Sequence, residues 1–164
     1  MPLIEPEDSL RDLDAFQPLV RNEQLMSSIP SEDKALLGNI LIQTPAYIKS
    51  LKAKYDEAVL PAVKAADQEV LDRIRADPRR YQISLASDNK PSKLLAPTLI
   101  LCGRQDESVG YRDSLRLLEF YPRSTYVVLD RGTHALPVDE NSVFEALVHD
   151  WLTRVNEWRG CTDR

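Results

Sequence analysis

The chain has 164 residues, of which 43% are hydrophobic and 29% charged, and its net charge is −5 at neutral pH. This composition is typical of a single soluble domain, and the acidic balance argues against nucleic-acid binding. No apolar run approaches the roughly 20 residues that span a bilayer, and the N-terminus lacks the pattern of a signal peptide. Cys102 and Cys161 suggest neither a disulfide framework nor a metal site, so we expect a cytoplasmic protein.

Helical patterns dominate the first 90 residues. Residues 1–30 predict a loop with a short helix, and Ser31 then caps a helix that we expect to run to Gln43. Acidic side chains follow Ser31 in the first turn, where they suit the helix dipole. The apolar stripe of this helix, at helical spacing, is Leu36, Leu37, Ile40 and Leu41.

Prolines mark the boundaries of the next helices. Thr44-Pro45 starts a helix, because proline at the first helical position loses no hydrogen bond. Pro61 interrupts or restarts it, and a further helix is expected to end at about Ala76, just before Asp77-Pro78. The tyrosines of this region are interpreted as core side chains rather than as the lining of a pocket: Tyr47, Tyr55 and Tyr81.

Residues 91–158 predict alternating strands and helices. Residues 97–102 form a short continuous apolar run, which is typical of a strand buried on both faces. A helix is expected over residues 111–120, a second strand over 125–129, and a last helix from about 141 to 158. The order strand, helix, strand, helix implies a right-handed crossover and two parallel strands.

Polar residues follow each of these strands. Asp106 lies in the loop 103–110 after the first strand, and His134 lies in the loop 131–136 after the second. Both loops follow the C-terminal ends of parallel strands, which is the edge at which open α/β sheets bind ligands. We therefore expect the two side chains to lie side by side. A carboxylate that holds a histidine fixes its tautomer and stabilises its imidazolium during proton transfer. Asp106 and His134 are therefore candidates for the acid and the base of a nucleophile–His–acid triad.

These segments resemble the C-terminal end of an α/β-hydrolase. The run APTLILCGRQD, which ends at Asp106, is similar to the family's penultimate strand and acid loop, and VGY at 109–111 continues the match. The run TYVVLDRGTH, which ends at His134, is similar to its last strand and catalytic His loop, and the helix around Trp151 to its closing helix. The resemblance implies a partial α/β-hydrolase fold, with a helical cap-like region over 1–90 and part of the core over 91–164.

Two features depart from that family. Thr133 directly precedes His134, where most relatives carry glycine, which changes the backbone freedom beside the histidine. There is also no GxSxG motif, which holds the nucleophile in this family. The nearest sequence is DESVG at 106–110, in which Ser108 lies in the acid loop. The nucleophile half is therefore missing, and the chain is predicted to be a C-terminal fragment of the fold.

Other reactive side chains have simpler interpretations. Cys102 falls inside the first strand and is expected to be a buried core thiol. His149 lies within the last helix and is expected to be solvated. Asp130 and Asp139, the rival acids near His134, are interpreted as a turn residue and a helix-start residue.

The resemblance implies hydrolysis of a small ester or related acyl substrate by a Ser–His–Asp triad, of which only Asp106 and His134 are present. The alternative is a catalytically inactive binding or dimerisation module derived from a hydrolase, so whether the chain is an enzyme stays open. No metal or organic cofactor is implied. Because two parallel strands are not a stable sheet alone, we expect a homodimer or a complementing chain at the exposed sheet edge.

Overall fold

The computed structural model describes residues 4–5, 7–37, 39–77, 93–139 and 142–162. The side chains of residues 35–37 and 162 lie outside this description. So do Pro78 and Tyr81, and with them the predicted helix stop and the third predicted core tyrosine.

The helical region contains short helices. A 3₁₀ turn over Asp8–Leu10 precedes them, and a π-helical turn over Tyr55–Val59 joins the third helix to the fourth. In chain order, the helices are α1 (Glu23–Ser28), α2 (Ser31–Leu37), α3 (Pro45–Lys54), α4 (Leu60–Ala65) and α5 (Gln68–Arg75).

The predicted helix from Ser31 to Gln43 is wrong in its second half. Helix α2 ends at Leu37, and the backbone after Asn39 pairs with an earlier segment instead of continuing the helix. The amides of Leu19 and Val20 donate to the Leu41 carbonyl, and the Gln43 amide donates to the Val20 carbonyl. Ile40 and Leu41 are buried as the apolar pattern indicates, but in the irregular segment between α2 and α3 rather than on a helix face.

The proline signals are confirmed at Thr44-Pro45. The Thr44 hydroxyl accepts a hydrogen bond from the Tyr47 amide at 3.3 Å, and Pro45 occupies the first turn of α3. Pro61 lies in the first turn of α4, directly after the π-helical turn, so the chain stays helical through it. The helix expected to end at about Ala76 is two helices, because Ala66 is extended and Asp67 caps α5.

The C-terminal region has the predicted β-α-β-α order. Strand β1 (Thr98–Gly103) lies parallel to β2 (Ser124–Leu129), with Ile100 opposite Tyr126. The connecting helix α6 (Tyr111–Ser114) tightens into a 3₁₀ turn over Leu115–Glu119. Helix α7 (Ser142–Thr162) closes the unit and ends four residues beyond Trp158.

Two apolar clusters hold these regions. The first consists of Tyr47 and Leu51 of α3 together with Ile40 from the segment before that helix. Ile100, Cys102 and Leu117 form the second, between β1 and the 3₁₀ turn. Val138, from the loop after β2, packs against the first cluster, so the histidine loop is in contact with the helical region.

Candidate active site

Two glycines bring the chain segments after the strands into contact: Gly103, the last residue of β1, and Gly132, just after β2. A Cβ atom on Gly103 would lie 2.3 Å from the carbonyl oxygen of Gly132, and one on Gly132 would lie 2.8 Å from the Gly103 Cα. The Gln105 amide also donates to the Gly132 carbonyl at 2.9 Å. Glycine is needed at both positions because the backbones touch, and this contact brings the acid loop against the histidine loop.

Asp106 is held by its own loop. One carboxylate oxygen accepts hydrogen bonds from the amides of Ser108 at 2.8 Å and Val109 at 3.0 Å. The side chain has no exposed surface, so the turn fixes the carboxylate in one orientation.

His134 lies against this carboxylate. Its Nδ1 atom is 3.3 Å from each carboxylate oxygen of Asp106, and 59% of the histidine side chain is exposed. The hydrogen bond to Asp106 raises the pKa of His134 above its ordinary 6.5 and outweighs burial, which lowers it. With Nδ1 on the acid, Nε2 is the nitrogen available to a reacting group.

Asp139 does not start the last helix as predicted, because α7 begins at Ser142. Its side chain turns back into the histidine loop and accepts a hydrogen bond from the Thr133 amide at 2.7 Å. The Thr133 hydroxyl lies 3.0 and 3.2 Å from the two carboxylate oxygens. The sequence placed Asp139 near a helix start, and nothing in its spacing showed that the carboxylate points towards Thr133.

A cavity of about 660 Å³ opens beside His134. The acid and histidine loops form one wall, and the helical region contributes Phe16, Tyr55 and Val59. Tyr55 therefore lines the cavity, contrary to the prediction of a core position, whereas Tyr47 is buried as predicted. The lining is Phe16, Asn39, Tyr55, Ala58, Val59, Gln105, Glu107, Ser108, Thr133, His134, Ala135, Pro137 and Val138.

The other reactive side chains considered from the sequence lie in different surroundings. Ser108 lines the cavity, but its amide donates to Asp106 and its carbonyl accepts from the Arg11 guanidinium. Cys102 is buried in the core, and burial raises the pKa of its thiol. His149 is exposed on α7, and Asp130 lies exposed in the turn after β2.

The described part of the chain contains neither a candidate metal site nor a candidate membrane span. No group of three or more His, Cys, Asp and Glu side chains there is arranged to hold a metal ion. None of the helices described there combines the length and the apolar character needed to cross a bilayer.

Comparison with known proteins identifies two similar hydrolases. No protein-family model matches the chain. It is 26% identical over 148 residues to a 2-hydroxy-6-oxo-2,4-heptadienoate hydrolase of Pseudomonas putida, a match that covers 90% of this chain and 50% of that protein. Its structure is similar to that of an α/β superfamily hydrolase from Oenococcus oeni, with a TM-score of 0.70 and 21% identity. That match covers 94% of this chain and 55% of the other.

The chain thus has the fold of the corresponding part of an α/β-hydrolase, as the sequence predicted. It spans about half the length of the Pseudomonas protein that it matches.

Proposed function

We propose that this chain supplies the acid, the base and the cap-like region of an α/β-hydrolase that cleaves small acyl substrates. The observation that carries the proposal is the contact of His134 Nδ1 with the buried Asp106 carboxylate beside a cavity of about 660 Å³. A buried acid on one ring nitrogen and an open cavity at the ring are what a general base of acyl transfer requires.

The proposed reaction uses a serine carried by polypeptide outside these residues. The serine oxygen forms a bond to the carbonyl carbon, and its proton moves to Nε2 of His134. The bond to the leaving alcohol or amine breaks as His134 returns the proton to it. Water then forms a bond to the acyl carbon as His134 takes its proton, the bond from that carbon to the serine oxygen breaks, His134 returns the proton to the serine, and the acid product leaves. Asp106 keeps the proton on Nδ1 and stabilises the imidazolium both when the acyl-serine forms and when it is hydrolysed.

The cavity supports a small, mainly apolar substrate. Phe16, Tyr55 and Val59 face the loops that carry the acid and the base. A volume of about 660 Å³ lies within the range of pockets for small molecules. The similar Pseudomonas protein is named for 2-hydroxy-6-oxo-2,4-heptadienoate, a small acid that carries a carbonyl group.

The nucleophile would arrive with a strand that pairs with the free edge of β1. Within the described residues, the sheet consists of β1 and β2 only. An apolar cavity of about 420 Å³ is lined by four consecutive residues of β1, by Leu117 and Tyr121, and by Phe144, Val148 and Trp151 of α7. Such a trough suits a strand that is apolar on both faces. A second copy of this chain brings no GxSxG motif, so we favour a complementing segment over a homodimer.

The test is hydrolysis of p-nitrophenyl butyrate by two proteins. One is the 164-residue chain alone. The other joins it to the half of the similar Pseudomonas hydrolase that this chain does not match. We expect turnover from the joined protein only, and H134A and D106A should remove nearly all of it. H149A changes the other histidine and serves as the matched control.

Each outcome has a defined meaning. Turnover of a folded joined protein that survives H134A would remove His134 from the mechanism. Turnover by the chain alone that is lost in both H134A and S108A would assign the nucleophile to Ser108. A folded joined protein without turnover would favour a binding module.

A further inference from the structure

Hydrogen bonds hold the backbone of the histidine loop on both sides of His134. Before it, the Thr133 amide donates to the Asp139 carboxylate at 2.7 Å. After it, the Ala135 amide donates to the Thr133 hydroxyl at 3.1 Å. The backbone of His134 therefore lies between two peptide groups whose positions depend on Thr133 and Asp139.

Asp139 is itself enclosed. It is 5% exposed, and its acceptor capacity is used by the Thr133 amide and hydroxyl and by the hydroxyl of Tyr47. Burial raises the pKa of this carboxyl, and the bonds from Thr133 and Tyr47 oppose the rise. A buried carboxylate with several donors fixes its partners more firmly than an exposed one, because water does not compete for them.

Tyr47 connects this loop to the helical region. It is buried on α3 in the cluster with Ile40 and Leu51, against which Val138 of the loop also packs. Thr44 caps the same helix and its hydroxyl accepts from the Tyr47 amide, so the backbone of Tyr47 is held at the start of α3.

We propose that Asp139 is a positioning residue, which holds Thr133 and through it places His134 against Asp106, and that Tyr47 ties this arrangement to helix α3. The proposal rests on the role of His134 in the proposed function, but its geometry does not require activity. It also gives a physical use to threonine at position 133, because glycine there would lack the hydroxyl that binds both Asp139 and the Ala135 amide.

The test is an NMR titration of the two histidines, His134 and His149. The exposed His149 on α7 serves as an internal control in every spectrum. Wild type and D106N are titrated first, and the difference between their His134 pKa values defines the full effect of the acid. In D139A, the His134 pKa is expected to fall by at least half of that difference. In D139N it is expected to fall by less than a quarter, because asparagine still accepts a hydrogen bond from the Thr133 amide.

Two milder variants keep the proposal testable if D139A fails to fold. T133V keeps the amide bond to Asp139 and removes the hydroxyl, and Y47F removes only the tie to α3. Each is expected to shift the His134 pKa in the same direction as D139A, by a smaller amount, with His149 unchanged.

The results separate the two proposals. Equal His134 pKa values in wild type and D106N would refute the acid–base pair, and with it the proposed function. A raised wild-type pKa that stays unchanged in folded D139A, or in folded T133V and Y47F where D139A does not fold, would overturn the positioning role and leave the acid–base pair intact.

Discussion

Gly103 and Gly132 touch backbone to backbone, and this contact joins the acid loop to the histidine loop. A Cβ on Gly103 would lie 2.3 Å from the Gly132 carbonyl oxygen, closer than real Cβ atoms approach other atoms. The end of β1 and the turn after β2 therefore meet more closely than any residue with a side chain would allow, and these two segments lead into the loops that carry Asp106 and His134.

The first prediction concerns this contact. G103A should separate the loops and destabilise the protein by about 1–3 kcal/mol, as overpacking at a backbone contact does. The measurement is urea unfolding followed by circular dichroism. G160A is the matched control: Gly160 lies in α7 with nothing within 4 Å of an added Cβ, so its stability should be unchanged or slightly raised. Equal stabilities for the two variants would contradict the close contact.

The second prediction concerns pH. The pKa of His134 is raised in the folded state by Asp106, so the pair stabilises the fold fully below about pH 6.5. That contribution is lost as the pH rises through the folded-state pKa. The difference in unfolding free energy between wild type and H134Q should therefore be larger at pH 5.5 than at pH 8.5. Since the histidine is 59% exposed, solvent screening should keep this difference below about 1 kcal/mol.

Urea unfolding at both pH values provides the measurement, and H149Q provides the control. Its effect on stability should be small, because His149 is exposed on α7. A larger H134Q effect at pH 8.5 would show that Asp106 does not hold the protonated ring.

The third prediction concerns the start of α3. The Thr44 hydroxyl accepts from the Tyr47 amide, so T44A should cost about 1 kcal/mol in unfolding free energy. T44S keeps the hydroxyl and should restore most of this loss. Thermal unfolding of the three proteins measures both effects, and a T44S variant as unstable as T44A would show that the hydroxyl does not act as the cap.

The fourth prediction concerns the apolar trough along β1. V148K places a charge among Phe144, Trp151 and the β1 edge, where a complementing strand would bury it. It should weaken at least tenfold the association with the separately expressed half of the Pseudomonas hydrolase that this chain does not match. N156K, at an exposed position of the same helix, should not. Titration by isothermal calorimetry measures both affinities, and equal weakening by the two variants would exclude the trough as the interface.

Much of the C-terminal region was predictable from local patterns. The apolar run before Gly103 and the β-rich run before Asp130 contain their own strand signals, and both strands lie within one residue of the predicted positions. The loops after them contain Asp106 and His134, so their proximity followed from the rule that parallel strands end at one edge. Their catalytic role stays a prediction.

The helical region was predicted less well, because its elements end for reasons that lie elsewhere in the chain. Leu36, Leu37, Ile40 and Leu41 have helical spacing, yet the helix stops at Leu37 because residues 41–43 bond to Leu19 and Val20. A periodic pattern reports which side chains are buried, and it does not report which distant backbone competes for their hydrogen bonds.

The sequence by itself determined the strand order, the parallel pairing and the two loops that carry Asp106 and His134, because these depend on short apolar runs and turn residues. Only the tertiary structure decided that Gly103 and Gly132 touch, that Tyr55 faces the cavity, and that Asp139 binds Thr133 and Tyr47. The physical reason is that these contacts join residues from separate elements or fold a loop back on itself, so their geometry exists only after the elements have packed.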